Sequence, residues 1–322
     1  MATSTLFSLS CTPQSRLFTK QSSNPISSTM SFLSPQVGQK HLYHPLRHNG
    51  ISPIPMNPMR THVGGSVSVK ASLNNNDVEV FSKEHLAVSL AKYVSGISNK
   101  FIREKGCFTL VLSGGSVKYL KKLVDSPYYD QIEWSKWHIF WADEKVVPIT
   151  NVDSNYKHAY DGFISKVPIP PHQVNTIDDS LPADGVADVY ETSLRRLVER
   201  KVISTSSETG FPKFDLMLLD MGPDGNVAAL FPGHPEVNET SKWVTFLKNA
   251  PKPPPERITF TLPVINSASN IAMVVTGAGK ADAVYSALVK GPSNGKLPIH
   301  LVSPEGEIKW FLDKGAASRL YR

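Results

Sequence analysis

Acidic residues are missing from the amino-terminal part of this 322-residue chain. Residues 1–76 contain no Asp or Glu, although six of the 34 Lys and Arg residues lie there. The other 28 basic residues match the 28 acidic residues that follow, so the net charge of +6 comes from the amino-terminal segment. Because the remainder is neutral, the sequence predicts no nucleic-acid partner.

Cysteine and long apolar runs are also scarce. Of the two cysteines, Cys11 lies in the acid-free segment, which leaves Cys107 alone in the rest of the chain and excludes an intrachain disulfide there. No apolar run approaches the length needed to cross a membrane. We therefore expect a soluble protein without a membrane partner, with room for one large domain or two small ones.

The acid-free segment is rich in Ser and Thr and lacks the compact apolar core of a secretory signal. This composition predicts a plastid transit peptide over residues 1–71, a folded domain over residues 72–322 and a location in the plastid stroma. The Val-Lys-Ala sequence that ends at Ala71 resembles a stromal processing site. A disordered tail without a targeting role is the alternative that composition leaves open.

The stretch from Phe214 to Pro235 predicts a buried strand, then a glycine-rich turn, then the start of a helix. The run from Asp215 to Leu219 has the pattern of a strand covered on both faces, and it stops at the Gly-Pro-Asp-Gly sequence of residues 222–225. Ligands of open α/β sheets bind beyond the carboxyl ends of the strands, so we expect a site there.

Strands and helices alternate from Asp77 onward. This order predicts an α/β fold with a mostly parallel twisted sheet and helices on both faces. The predicted strands are Val78–Phe81, Phe108–Leu112, His138–Trp141, Asp215–Leu219, Arg257–Leu262, Asn270–Thr276 and Ile308–Leu312. The predicted helices run from Ser82 to about Lys105, from Ser154 onward, from Gly185 to Val202, from Lys280 to about Lys290, and over the short carboxyl-terminal tail.

Two glycine-rich turns are candidate phosphate sites. The sequence Ser113-Gly114-Gly115-Ser116 follows a strand, and its glycines let the backbone approach a ligand while a following helix would supply N–H groups. Lys280 lies at a second turn of this kind, where it can hold a phosphate as a point charge. A plain turn and a solvated lysine are the alternatives that remain open.

A charged triplet, Asp143-Glu144-Lys145, follows the strand that ends at Trp141. Two carboxylates and an ammonium at a strand end can orient a substrate or stabilise an oxyanion. A solvated turn whose charges pair locally is the alternative.

Six segments, taken together and in this order, resemble the 6-phosphogluconolactonase family, particularly its plant plastid members. They are Leu112–Ser116, Trp141–Lys145 with Ser154–Tyr156, Asp215–Leu219 with Gly222–Gly225, Leu230–His234, Arg257–Thr259 and Gly277–Ala281. The resemblance implies a parallel α/β sheet related to glucosamine-6-phosphate deaminases. It also implies hydrolysis of 6-phosphogluconolactone to 6-phosphogluconate in the oxidative pentose phosphate pathway, with this sugar-phosphate lactone as partner and without a metal or organic cofactor.

The resemblance also assigns roles to residues of the phosphate site. The loop from Ser113 to Ser116 would enclose the substrate phosphate, while Lys280 and Arg257 would supply positive charge. Lys145 stands where the family has an arginine that steadies the substrate or its developing charge. Lysine keeps that charge but loses the planar fork that grips two oxygens.

The glycine-rich turn departs from the family at its catalytic position. The family has a histidine that activates water after Gly-Pro-Asp-Gly, whereas this chain has Asn226, whose amide cannot take a proton from water. Asp220 stands where the family usually has glycine, so it is either a substitute base or a charge that repels an anionic substrate. Asp224, Asn226, Asp220 and Lys145 are the predicted catalytic residues. His234 would brace its loop or replace the missing base.

These departures leave two main functions open. The first is a working 6-phosphogluconolactonase in which Asn226 or Asp220 positions the attacking water. The second is a catalytically impaired relative that binds a sugar phosphate or another protein. Deamination of an amino sugar phosphate fits the segments less closely.

Overall fold

The computed structural model describes residues 59–63, 66–73, 76–292 and 295–321. The described strands are β1 (Met59–Val63), β2 (Ser66–Leu73), β3 (Asn76–Phe81), β4 (Phe108–Leu112), β5 (Trp137–Trp141), β6 (Asp143–Lys145), β7 (Ser204–Thr205), β8 (Pro212–Lys213), β9 (Leu216–Leu219), β10 (Val244–Leu247), β11 (Arg257–Phe260), β12 (Asn270–Val275) and β13 (Glu307–Asp313). The described α-helices are α1 (Lys83–Lys105), α2 (Tyr128–Gln131), α3 (Asn155–Gly162), α4 (Ala183–Glu199), α5 (Leu262–Asn266) and α6 (Ala281–Tyr285).

The main sheet has eight strands in the order β1-β2-β3-β13-β12-β9-β4-β5. All neighbours from β3 to β5 are parallel, whereas β1 and β2 add an antiparallel edge. Every residue of β4, β9 and β12 is buried, as expected for central strands covered on both faces. The predicted mostly parallel α/β sheet is confirmed.

Helix α1 shows how closely local sequence determines one element. Ser82 accepts a hydrogen bond from the backbone N–H of His85, and Gly106 ends the helix at a φ of 82°. Leu86 and Leu90 of the predicted apolar face are completely buried. The helix therefore begins and ends where its capping residues indicate.

A second sheet was not predicted. Its order is β10-β11-β6, and both of its strand pairs are antiparallel. The charged triplet forms β6 and pairs with β11, so the alternative of a solvated turn is wrong. Asp143 and Glu144 are buried because the second sheet and α3 cover them.

Three segments that were predicted as helices are not α-helical in the structure. Residues after Gly225 form bridges between Val227 and both Met221 and Leu230, because the apolar residues of this segment fold back into the core. The segment after Ser116 is a 3₁₀-helix, Val117–Val124, rather than an α-helix. The tail after Asp313 forms successive turns that bury its two alanines and a leucine.

The helix predicted from Lys280 is divided into three segments. It begins as a 3₁₀-turn, Ala278–Lys280, continues as α6 and ends in a π-turn, Ser286–Lys290. The predicted transit peptide lies outside the described residues up to residue 58, and its predicted boundary at residue 71 falls inside β2.

Candidate active site

A cavity of about 220 Å³ lies where the loops after β4, β9 and β12 meet beyond the carboxyl ends of these parallel strands. It is lined by Ser113, Gly114, Gly115, Asp143, Lys145, Asp220, Met221, Gly222, Pro223, Asn226, Ala228 and Lys280. Most of the predicted site residues therefore meet in one place. Ser116, Asp224 and Arg257 are not among the described residues that line it.

Polar side chains pack closely against the glycines of the first loop. A Cβ atom on Gly115 would lie 1.9 Å from Oδ2 of Asp220, and one on Gly114 would lie 2.5 Å from Oδ1 of Asn155. Among the described residues, no acceptor pairs with the backbone N–H groups of these two glycines. Two unpaired N–H donors on the wall of a cavity form an anion-binding surface.

The serine hydroxyls of the same loop are engaged with the protein. Ser113 donates to Oδ1 of Asp143 at 2.8 Å. Ser116 is completely buried and donates to the carbonyl oxygens of Ser113 and Leu218 at 2.8 and 3.1 Å. Through these two backbone contacts the Ser116 hydroxyl fixes the loop, and its predicted phosphate contact stays a prediction.

Asp220 and Lys280 form an ion pair inside the cavity. The ammonium of Lys280 lies 2.6 Å from one carboxylate oxygen of Asp220 and 2.8 Å from the other. The backbone N–H of Met221 also donates to this carboxylate. Both side chains keep about a fifth of their surface exposed, so a ligand can reach the pair.

Lys145 is held by a network that the sequence did not reveal. Its ammonium donates to the side-chain oxygen of Asn155, and the amide nitrogen of Asn155 donates to the carbonyl of Asp143 at 2.7 Å. Glu144 accepts hydrogen bonds from the backbone N–H groups of Lys145, Asn155 and Tyr156. Burial raises the pKa of Glu144, and these three hydrogen bonds oppose that rise. Asn155 and Glu144 thus position the lysine.

The glycine-rich turn presents Asn226 to the cavity. The turn closes through a hydrogen bond from the Gly222 N–H to the Asn226 carbonyl at 2.9 Å. The Asn226 amide donates to the carbonyl of Ala228, and its oxygen accepts from the ammonium of Lys252 at 3.2 Å. Lys252 also lies 3.1 Å from Asp224. Asp224 therefore binds this lysine beside the cavity.

Arg257 is not among the described residues that line the cavity, and its predicted phosphate contact stays a prediction. Its guanidinium donates to the carbonyl oxygens of Lys252, Pro253 and Pro254, and the residue is only 8% exposed. It therefore stabilises the proline-rich loop that carries Lys252. Because these contacts depend on how the loop folds, the sequence did not reveal Lys252 or this role of Arg257.

No histidine is found among the described residues that line the cavity. His234 contacts the ring of Phe231 and lies 3.7 Å from a carboxylate oxygen of Glu236, which fits the predicted role of bracing its loop. The carboxylates that line the cavity are Asp143 and Asp220.

The described part of the chain has neither a metal-binding cluster nor a membrane-spanning helix. No group of three or more His, Cys, Asp or Glu side chains is placed there to hold a metal ion. None of the helices described has the length and apolar character needed to cross a membrane.

Plant proteins share extensive sequence with this chain. The protein named probable 6-phosphogluconolactonase 4, chloroplastic, from Oryza sativa subsp. indica is 55% identical over 282 residues, which cover 86% of each chain. The protein named 6-phosphogluconolactonase 3, chloroplastic, from Arabidopsis thaliana is 56% identical over 245 residues, covering 76% of this chain and 75% of the relative.

Solved structures agree with these relatives. A 6-phosphogluconolactonase from Trypanosoma brucei is 26% identical with a TM-score of 0.66, and the match covers 76% of this chain and 98% of the other. A 6-phosphogluconolactonase from Thermotoga maritima is 25% identical with a TM-score of 0.62, covering 74% and 99%. The family described as glucosamine-6-phosphate isomerases/6-phosphogluconolactonase matches residues 82–310. This chain belongs to the glucosamine-6-phosphate isomerase/6-phosphogluconolactonase family.

Proposed function

We propose that this chain hydrolyses 6-phospho-D-glucono-1,5-lactone to 6-phosphogluconate, as the names of its relatives suggest. The observation that carries the proposal is the meeting of two unpaired glycine N–H groups, two lysines and the glycine-rich turn on one small cavity. This combination provides an anion site beside a place where water can attack a carbonyl. The reaction belongs to the oxidative pentose phosphate pathway.

The anion site suits the phosphate of the substrate. The backbone N–H groups of Gly114 and Gly115 donate hydrogen bonds to the phosphate, and Lys280 supplies a positive charge beside it. Lys145 lines the same cavity close to Gly114, and Asn155 holds its ammonium. In this arrangement Lys145 stabilises the oxyanion that forms when water adds to the lactone carbonyl.

Asp220 is the proton acceptor in this proposal. Asp143 is only 4% exposed, and its two carboxylate oxygens accept from Ser113 and Asn155. Asp220 is more exposed, and its side-chain partner is the ammonium of Lys280. Asn226 holds the attacking water, which adds to the lactone carbon while its proton passes to Asp220. The bond from that carbon to the ring oxygen then breaks, and Asp220 returns the proton to the ring oxygen as it leaves.

Binding of the phosphate prepares Asp220 for this step. In the free chain, Lys280 neutralises Asp220 through a bidentate contact. A bound phosphate dianion competes for the same ammonium and weakens its hold on the carboxylate. The substrate therefore makes the base more available.

The test is a lactonase assay on the full chain, with acid release measured above spontaneous ring opening. We expect Asp220→Asn to lower kcat by ~10²–10⁴, the usual contribution of a positioned general base. The matched control is Asp282→Asn, whose carboxylate is 77% exposed and pairs with Arg319. An unchanged kcat in Asp220→Asn would exclude Asp220 as the base. A wild-type chain that binds 6-phosphogluconate without opening the lactone would establish the impaired relative instead.

We infer that residues 1–71 direct the chain to the plastid stroma. The acid-free composition and the word chloroplastic in the names of both plant relatives support this. A fluorescent reporter fused behind residues 1–71 should enter plastids, and the same reporter without them should stay in the cytosol. Cytosolic fluorescence of the fusion would contradict the inference.

A further inference from the structure

A second cavity, of about 560 Å³, adjoins the first. The two share Gly114, Gly115 and Lys145 as a common wall. Its other lining residues come from the 3₁₀-helix after the glycine loop, from α3 and from the segment after α3. They are Val117, Lys118, Lys121, Asn155, His158, Gly162 and Lys166.

The second cavity has only basic residues among the titratable side chains that line it. Its titratable lining residues are Lys118, Lys121, Lys145, Lys166 and His158, and no carboxylate is among them. The first cavity instead combines two lysines with two aspartates. An anion entering the second cavity therefore meets no repelling side chain on its wall.

The lysines of this cavity also lack acidic partners. In the described part of the chain, no carboxylate lies within 4.0 Å of the ammonium groups of Lys118, Lys121 or Lys166. Their charges are therefore not neutralised by the protein. An anionic ligand would gain their attraction without displacing an existing ion pair.

Neighbouring lysines on the same two elements behave differently. Lys122 pairs with Asp125 at 2.9 Å, and Lys157 pairs with Asp161. On Val117–Val124 and α3, the lysines that line the cavity lack a carboxylate partner among the described residues, whereas Lys122 and Lys157 have one.

The 3₁₀ geometry of Val117–Val124 contributes to this arrangement. Side chains three residues apart eclipse one another in a 3₁₀-helix, so Lys118 and Lys121 lie in one row. Lys166 also lines the cavity, and its ammonium donates to the carbonyl of Gly162 at 3.2 Å. The cavity thus combines lysines from separate segments of the chain with the glycine loop.

We propose that the second cavity binds a second phosphate group, so that the joined cavities accept a sugar bisphosphate. One phosphate contacts Gly114, Gly115 and Lys280, and the other lies among Lys118, Lys121 and Lys166. The ligand excludes the monophosphorylated lactone, which makes it a competitive inhibitor. The proposal rests on the phosphate contact of the proposed function but not on lactone hydrolysis.

The experiment is calorimetric titration of the full chain with fructose 1,6-bisphosphate and, separately, with fructose 6-phosphate. We expect the bisphosphate to bind at least about tenfold more tightly, because each charge-assisted contact contributes roughly that factor. In Lys118→Ala/Lys121→Ala this advantage should disappear, while fructose 6-phosphate binds as before. The matched control, Lys122→Ala/Lys157→Ala, loses the same charge outside the cavity and should keep the advantage.

Three results overturn the proposal in distinguishable ways. Equal affinity of the wild-type chain for both sugars would exclude the second phosphate site without contradicting the proposed function. An equal loss of bisphosphate affinity in both double variants shows general attraction by a basic surface. Failure of the wild-type chain to bind either sugar removes the phosphate contact at Gly114 and Gly115 as well, and with it the basis of the proposed function.

Discussion

The ammonium nitrogen of Lys280 lies 2.6 and 2.8 Å from the two carboxylate oxygens of Asp220. The pair joins the loop after β9 to the loop after β12, two strands that are neighbours in the sheet. Asp220 thereby competes with the substrate phosphate for the same cation. We expect Asp220→Asn to lower KM for the lactone because Lys280 becomes free, even as kcat falls. A rise in KM would show that the carboxylate orients Lys280 instead.

Asn226→His should raise kcat. Asn226 already lines the cavity, so an imidazole there adds a general base where the chain now has an amide. We expect a gain of about tenfold or more and a new fall in rate below pH ~6.5, where a free histidine is protonated. The measurement is the pH profile of kcat for both forms. Asn226→Gln serves as a control that keeps an amide, and a pH profile unchanged by histidine would contradict the expectation.

Gly115→Ala should abolish most activity. The added Cβ atom would lie 1.9 Å from Oδ2 of Asp220, so the ion pair with Lys280 must shift. Gly96→Ala is the matched control, because a Cβ atom there meets nothing within 4 Å and alanine favours the helix by about 0.5–1 kcal/mol. Steady-state kinetics and thermal melting of both variants would test this. Full activity in Gly115→Ala would show that Asp220 and Lys280 can shift without loss of function.

Arg257→Lys separates the structural role of this residue from the phosphate contact that the sequence predicted. A lysine cannot reproduce three guanidinium contacts to the carbonyls of Lys252, Pro253 and Pro254. We expect the free energy of unfolding to fall by about 1–3 kcal/mol, measured by urea denaturation. Arg103→Lys, at an exposed position of α1, should change it little. A rise in KM with unchanged stability would favour the phosphate role.

His138 makes the fold sensitive to acid. Burial, with the charges of Lys105 and His172, lowers the pKa of His138 from 6.5 to about 4. As the pH falls, His138 is therefore protonated in the unfolded chain before it is protonated in the folded chain. The free energy of unfolding is unaffected by this histidine above pH ~6.5 and decreases from there towards pH 4. We expect His138→Gln to lose less stability than the wild type between pH 7 and pH 5.

Urea midpoints at the two pH values would measure this difference. His158→Gln, at an exposed position, is the control and should follow the wild type. The same loss in His138→Gln as in the wild type would assign the acid sensitivity to other groups.

The central strands could be predicted because a buried strand is a short, continuous run of apolar residues. Phe108–Leu112 was predicted with the bounds that the structure shows, and Asp215–Leu219 differs from β9 by one residue. The helix after Gly225 was wrong because the direction of a glycine-proline turn depends on what the next apolar residues pack against. Asp143–Lys145 became a strand of the second sheet because β11 supplies a partner from more than a hundred residues away.

Most residues of the candidate site could be predicted from the sequence, but the contacts between their side chains could not. Glycines and charges at strand ends identified Gly114, Gly115, Lys145 and Lys280. The contact of Lys280 with Asp220 spans 60 residues, so no local pattern reports it. Tertiary packing determines whether a charged side chain is available to bind a ligand or forms an ion pair with another side chain.

The place of β2 has a consequence for protein solubility. Its ladder with β3 has five residue pairs, and three of them lie before the predicted processing point at Ala71. If import removes residues 1–71, β3 becomes an open edge whose backbone groups can recruit strands from other molecules. Asp77, which is half exposed and pairs with Lys309, places charge on that edge. Removal of residues 1–71 would then expose the edge of β3, and the charge of Asp77 would oppose its pairing with strands of other molecules.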